Sequence, residues 1–158
     1  GWKQDYVNKM VEDQKKILDG FLDTVHRLAV RFPRRRFLVR PHPFEGEAVY
    51  LTRFADVGNV TVDGAGNVLN VIRHCACLLH LNCGTSIEAV MLERLPVSME
   101  FLNTEHMANH STLPSRISMK ADSFAHLAAI LEDLPASCQR FDFDVCSRWP
   151  WTTTQVPP

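Results

Sequence analysis

The chain has no run of about 18 uncharged apolar residues, the length a membrane span requires, and its amino terminus lacks the charged-then-apolar pattern of a signal peptide. A soluble, cytoplasmic protein is the expectation. An excess of one charge is missing too. Seventeen lysines and arginines face 18 acidic residues, a formal net charge of −1, which leaves no electrostatic footprint for wholesale nucleic-acid binding. The exception is local, the basic run Arg31, Arg34, Arg35, Arg36 and Arg40. Glycine is scarce, 7 of 158 residues, and none is spaced as a GxGxxG dinucleotide loop, a Walker phosphate loop or a GxSxG elbow; HExxH is absent as well. The familiar dehydrogenase, ATPase and hydrolase readings lose their main support. Five cysteines, an odd number without framework-like spacing, point to a reducing compartment rather than a disulfide-stapled secreted domain.

What is present is ordinary globular usage, 46% hydrophobic and 22% charged, at a length that suits one domain of roughly 150 residues. The opening Gly1-Trp2, without Met, suggests part of a longer or processed chain. Val7, Met10, Val11, Leu18, Phe21, Leu22, Val25, Leu28, Ala29 and Phe32 recur at helical spacing, with Asp5 as the expected N-cap and Pro33 just past the end. Phe37-Leu38-Val39 then predicts a strand that stops at the prolines around His42. Asn59 to Val62 is strand-like, Val68 to His74 a short helix, and Ala76 to Leu81 a buried strand by its continuous apolar character. Ser86 to Arg94 is expected to be helical with Ile87, Val90, Met91 and Leu95 inward, broken by Pro96 before a strand from Val97 to Leu102. Asn103 to Ser118 suits a long ordered loop, and Asp122 with Ser123 caps a helix from Phe124 to Leu131. Strands separated by helices predict an α/β fold, a Rossmann-like parallel sheet of about four or five strands flanked by helices, over residues 1–137. No sustained period follows Cys138, and residues 138–158 are expected to form an irregular or disordered tail.

In open parallel sheets ligands bind outside the carboxyl ends of the strands, and two unusual loops fall there: Arg40-Pro41-His42-Pro43 and Asn82-Cys83-Gly84-Thr85-Ser86. The second joins a strand to a helix start, where backbone N–H groups and hydroxyls face an anion. Thr85 and Ser86 suit phosphate oxygens, with Gly84 allowing close approach, or else serve as plain caps. His42, held between two prolines, can be aimed at a ligand with little entropy lost, or is simply a solvated loop residue. Arg40 either clamps a phosphate or pairs with Glu45. Glu88, in the first helical turn, favours the positive helix end or accepts from ribose hydroxyls. His74, Cys75, Cys77, His80 and Cys83 crowd into ten residues, but their spacing is wrong for zinc, and no metal is expected.

Two stretches, Phe37 to Glu45 with its RPHP and His80 to Met107 with its HxNCGTSIEAxxLExLPVSxEFLNTExM, resemble the carboxyl-terminal half of bacterial surface-carbohydrate (polysaccharide) biosynthesis proteins, and His110, Leu113 to Ser118 and Asp122-Ser123 continue the match. More distantly, a His-Pro motif paired with a Ser/Thr motif is similar to sialyltransferases and Kdo transferases of the two-Rossmann GT-B class. The resemblance implies the donor domain of a glycosyltransferase using a CMP-linked sugar, with Arg40, His42, Pro43, Asn82, Gly84, Thr85, Ser86 and Glu88 at the nucleotide. It also implies a nucleotide sugar as substrate rather than a cofactor, a missing amino-terminal acceptor domain, and a lipid-linked acceptor at the inner face of the cytoplasmic membrane. No general base is identifiable, so whether this chain alone is an enzyme stays open. Half of a CDP-polyol phosphotransferase and a non-catalytic nucleotide-binding or interaction module are the alternatives.

Overall fold

Thirty residues at the amino end form a single helix, α1 (Trp2–Arg31), in a computed structural model that describes residues 1–42, 45–108 and 112–146. Its N-cap is Gly1, and Asp5, the expected cap, lies inside the first turn, where its charge suits the positive end of the helix dipole. Leu22, Val25, Leu28 and Ala29 are buried, whereas Val7 and Val11, expected to face inward, stay about half exposed. The stripe therefore outruns the body it packs on.

After α1 come β1 (Phe37–Val39), α2 (Glu47–Arg53), β2 (Val60–Val62), α3 (Val68–His74), β3 (Cys77–His80), α4 (Thr85–Met91) and β4 (Leu95–Met99). A 3-10 turn at Glu100–Leu102 leads to α5 (Glu105–Ala108), α6 (Thr112–Arg116), β5 (Met119–Ala121), α7 (Phe124–Glu132) and α8 (Leu134–Arg140), and a second 3-10 turn at Phe143–Cys146 follows. The fold is mixed α/β, and the five strands among the described residues all pair in parallel. They form two small sheets rather than one: β1-β2, with Phe37 opposite Val60, and β3-β4-β5.

Several elements differ from expectation for identifiable reasons. The α4 helix stops at Met91 rather than Arg94 because Glu93 turns left-handed at φ 53, so that its N–H bonds Val90 and the Arg94 N–H bonds Ala89. These are the two bonds of a Schellman motif, here without glycine. Ser86, Ala89 and Val90 face inward, and Met91, expected inside, is 75% exposed. Pro96 does not break the chain ahead of a strand but sits within β4, before β5 begins pairing at Val97, where the strand is bonded on one side only. The wholly buried strand is β4; in β3 only His80 is buried. The expected loop from Asn103 contains α5 and α6. Ser123 caps α7 by accepting from the His126 N–H, as its position predicts. Of the expected tail, residues 138–146 hold the end of α8 and the 3-10 turn, and 147–158 lie outside the described residues. Among the described residues no helix is long and apolar enough to cross a membrane.

Two apolar clusters make the core, one under β3-β4-β5 with Leu28, Leu95, Val97, Met99, Leu127 and Ile130, the other under β1-β2 with Leu22, Val25, Val39, Tyr50 and Phe54. Part of the basic run at the end of α1 and just past it fastens the helix: Arg31 pairs with Glu132 and Arg35 donates to the Leu131 carbonyl, both at the negative end of α7. Asn59, just before β2, donates its side-chain amide to the carbonyls of Ala29, Phe32 and Arg35 at 2.9 to 3.1 Å, covering the Ala29 carbonyl in the last turn of α1 and two carbonyls of the turn that follows it. Asn59→Ala should lower stability in urea by about 1–3 kcal/mol. Asn59→Asp should lower it further at neutral pH, because a carboxylate of the same shape offers three carbonyls no donor. An aspartate variant as stable as the alanine variant would show that the carbonyls do not depend on the amide.

Candidate functional site

The loop after β1 carries Arg40 and His42. Arg40 neither pairs with Glu45 nor stands clear for a ligand: three of its N–H donors go to the carbonyls of Gly64, Ala65 and Gly66 at 3.0, 2.7 and 3.1 Å. It thereby shapes the loop after β2, in which Gly66 adopts φ 74. Glu45 turns instead to its own loop. Its carboxylate accepts from the His42 backbone N–H at 2.9 Å and from the Tyr50 hydroxyl, while the Glu45 N–H donates to the His42 carbonyl at 2.8 Å. Burial first, and then the bond and charge of Glu45, push the Tyr50 phenol well above its ordinary value, so it remains a donor. His42 is thus exposed on a loop braced from α2. Pro43, the other half of the His-Pro pair, lies outside the described residues. A groove of about 310 Å³, lined by Met10, Val11, Gln14, Lys15, Leu18 and Glu45, runs between this loop and α1. The larger groove, about 580 Å³ along Asp19, Leu22, Ala48, Val49, Thr52 and Arg53, contains none of the candidate residues. Its one cation, Arg53, is already bonded to Asp23, so size alone does not make it the site.

The turn after β3 is more constrained. Ser86 is completely buried, and its hydroxyl donates to the Cys83 carbonyl at 2.9 Å. The Ser86 and Ile87 N–H groups bond the carbonyls of Cys83 and Gly84. The anion cradle expected at this helix start therefore narrows to the amides of Gly84 and Thr85. Gly84 has an ordinary helical backbone, φ −60 and ψ −22, and a Cβ there would meet nothing within 4 Å. No glycine is needed for the turn; its missing side chain only leaves the backbone uncovered. Thr85 places its hydroxyl 3.0 Å from the Cys83 sulfur, and Glu88 is half-buried one turn into α4.

A polar network joins this turn to the end of β4; its members Asn82, Ser98, Glu100 and Asn103 all lie in the His80 to Met107 stretch, but of them only Asn82 was a candidate site residue. Asn82, left-handed at φ 50, donates to the Asn103 side-chain oxygen at 3.0 Å and accepts from the Asn103 amide at 3.4 Å. Asn103 also donates to Glu100 at 3.3 Å, and the Ser98 hydroxyl donates to the other Glu100 oxygen at 2.7 Å. Burial raises the Glu100 carboxyl, but hydrogen bonds with Ser115, Ser98 and Asn103 and the charge of Lys120 outweigh it and hold the group below its ordinary value. The two asparagines are 21 residues apart in sequence, a separation that leaves no local signal of their pairing.

Beside Glu100 lies His80, 4% exposed. Ser118 spends its one hydroxyl hydrogen on the Pro114 carbonyl at 2.6 Å, so at 2.8 Å it accepts from His80, whose Nε2 therefore carries the proton. Nδ1 presents a bare lone pair, buried and without a partner among the described residues. The other members of the Cys/His cluster do not converge with it. His74 bonds the Asn70 carbonyl, burial pushes the Cys77 thiol up to about 12, and among the described residues no three His, Cys, Asp or Glu side chains are grouped to hold a metal.

Burial pushes the His80 imidazole down to about 4, with Glu100 pulling weakly the other way. The unfolded chain, titrating near 6.5, then binds the proton first, so stability is full above that pH and falls as pH drops from about 6.5 towards 4. The loss should amount to about 3 kcal/mol. Urea titrations across this window should show His80→Gln losing correspondingly less than the parent, since glutamine keeps a donor towards Ser118 and cannot charge. Parallel pH profiles for the two proteins would remove His80 as the cause.

Comparison of the chain with protein-family models, with curated proteins and with solved structures finds no match.

Proposed function

We propose that this chain is the donor-nucleotide-binding part of a glycosyltransferase for bacterial surface polysaccharide, taking a CMP-linked sugar, with a Rossmann-like domain of the GT-B kind. The observation that carries the reading is that both segments bearing the resemblance leave the carboxyl ends of parallel strands. Phe37 to Glu45 contains β1 and its loop, and His80 to Met107 runs from the end of β3 through β4 to α5. Carboxyl ends of parallel strands are where α/β folds bind ligands.

In this reading the Gly84 and Thr85 amides with the Thr85 hydroxyl take the phosphate, and His42 approaches it from the loop after β1. Arg40, Glu45, Tyr50 and Ser86 act one step back. They fix loop shapes through the bonds described above, so that the groups meeting the nucleotide are held before it arrives, which limits the entropy lost on binding. Neutralising the phosphate as the sugar leaves would be their shared electrostatic task. Acceptor and any catalytic carboxylate belong, in this reading, to an amino-terminal domain.

Calorimetric titration with CMP, UDP and CDP tests the proposal. CMP should bind, more tightly than UDP or CDP, and absence of binding by all three would overturn it. His42→Ala should weaken CMP by about 1–3 kcal/mol without loss of stability, the value of a hydrogen bond to a charged group. Thr85→Val should weaken CMP more than cytidine. Equal losses for nucleotide and nucleoside would place Thr85 away from the phosphate.

A further inference from the structure

We propose that Asn82, Glu100 and Asn103 form an acceptor-rich shelf that binds adjacent hydroxyls of a sugar ring, whether the ribose of a nucleotide or the pyranose it carries; this rests on the nucleotide-sugar reading above and adds to it a subsite with its own chemistry. The three side chains are half-buried at the carboxyl ends of β3 and β4 and are bonded to one another. Their shape is set before any ligand arrives.

The argument is a count of hydrogen-bonding capacity. A side-chain amide has two N–H donors and two lone pairs, and a carboxylate has about four acceptor positions. Asn103 uses both donors, on Asn82 and Glu100, and one lone pair, on Asn82. Asn82 uses one donor and one lone pair on Asn103. Glu100 accepts from Ser98 and Asn103 and is also bonded to Ser115. Among the described residues, what remains is one acceptor position on each of the three residues and a single N–H on Asn82. Beside the shelf, the buried Nδ1 of His80 is a further lone pair without a donor among the described residues.

An acceptor surplus around a carboxylate repels phosphate, so this shelf is not a second anion site. An ammonium group would satisfy the acceptors but leave the Asn82 N–H facing three more donors, and Lys120 already supplies a positive charge near Glu100. A hydroxyl donates once and accepts as well, which matches a set of several acceptors with one donor. Adjacent ring hydroxyls would meet two of the three residues at once. Asn82 also explains its own identity here. Its backbone lies in the left-handed region, where glycine or asparagine is favoured, and of the two only asparagine brings an amide.

The test uses two matched pairs of probes in calorimetry: CMP against 2′,3′-dideoxy-CMP for the ribose, and glucose 1-phosphate against inorganic phosphate for a pyranose. In at least one pair the hydroxyl-bearing member should bind about tenfold more tightly. Glu100→Gln, which replaces an acceptor oxygen with a donor, should erase that difference and leave the hydroxyl-free member unchanged. Asn82→Gly keeps the left-handed turn while removing the amide, and should also erase the difference within the pair, even if Glu100→Gln fails to fold. Equal affinities within both pairs for the parent chain, or a difference that survives Asn82→Gly, would overturn the shelf while leaving the nucleotide reading intact. Failure of the folded parent chain to bind any of the four probes would overturn both.

Discussion

One helix holds two sheets that share no backbone ladder among the described residues. Leu28 of α1 packs into the cluster beneath β3-β4-β5, Leu22 and Val25 pack into the cluster beneath β1-β2, and Phe21 touches both. The relation between the sheets is therefore set by side-chain packing along two turns of α1 rather than by hydrogen bonds between strands. Two further contacts fix the helix in place. At Gly20 a Cβ would stand 2.8 Å from a Leu102 methyl, so the absence of a side chain lets α1 close onto the turn after β4. At the other end Asn59 and the Arg31 and Arg35 contacts tie the helix terminus to β2 and α7. The loops after β1 and β3 emerge from different sheets, so α1, packed against both, lies between the settings of His42 and Thr85.

The polar shelf follows from the core in a similarly direct way. β4 has no exposed residue, and its Ser98 is completely buried. A buried hydroxyl without a partner costs about 1–3 kcal/mol, and the partner is Glu100, two residues on. Glu100 is in turn held by Asn103, and Asn103 holds Asn82 in its left-handed turn. A requirement of packing in the middle of the sheet is thus passed outward, bond by bond, to the edge where ligands bind in folds of this class. His80 shows the same logic from β3, with Ser118 and the Pro114 carbonyl as its anchors.

Four of the five described strands were legible because each is a largely apolar stretch bounded by helix periodicity or by turn residues, and α7 because Ser123 caps it in the usual way; β5, three residues with Lys120 at the centre, carries no such pattern and was not read as a strand. What was not legible has specific physical causes. Glu93 ends α4 in a conformation that normally signals itself with glycine, so the helix looks three residues longer than it is. Pro96 normally interrupts a strand, and is tolerated in β4 only because of where β5 begins, a matter of tertiary register. Val7 and Val11 continue a correct helical period past the point where there is anything to bury them. At the site, a motif identifies residue types but not how their hydrogen bonds are spent. Arg40 and Ser86 have the chemistry of phosphate ligands, yet the fold uses one on three loop carbonyls and hides the other.

That distinction divides the candidate residues by function. Groups with satisfied bonds, such as Arg40, Ser86 and the Glu45-Tyr50 pair, store geometry. Groups with capacity left over, namely the Gly84 and Thr85 amides on one side and the Asn82-Glu100-Asn103 shelf on the other, are where a ligand gains most, since it need not break a protein bond to make its own. The two sets have opposite character, donors at the turn and acceptors on the shelf, and they sit within three residues of each other along the chain at Asn82 to Thr85. On the nucleotide-sugar reading proposed above, a ligand that is anionic at one end and hydroxylated at the other would use both. A simple phosphate or a neutral sugar satisfies only half. The left-handed backbone at Asn82, a conformation that costs most residues about 1–2 kcal/mol, is the joint between them, and its bond to Asn103 is what keeps the joint set.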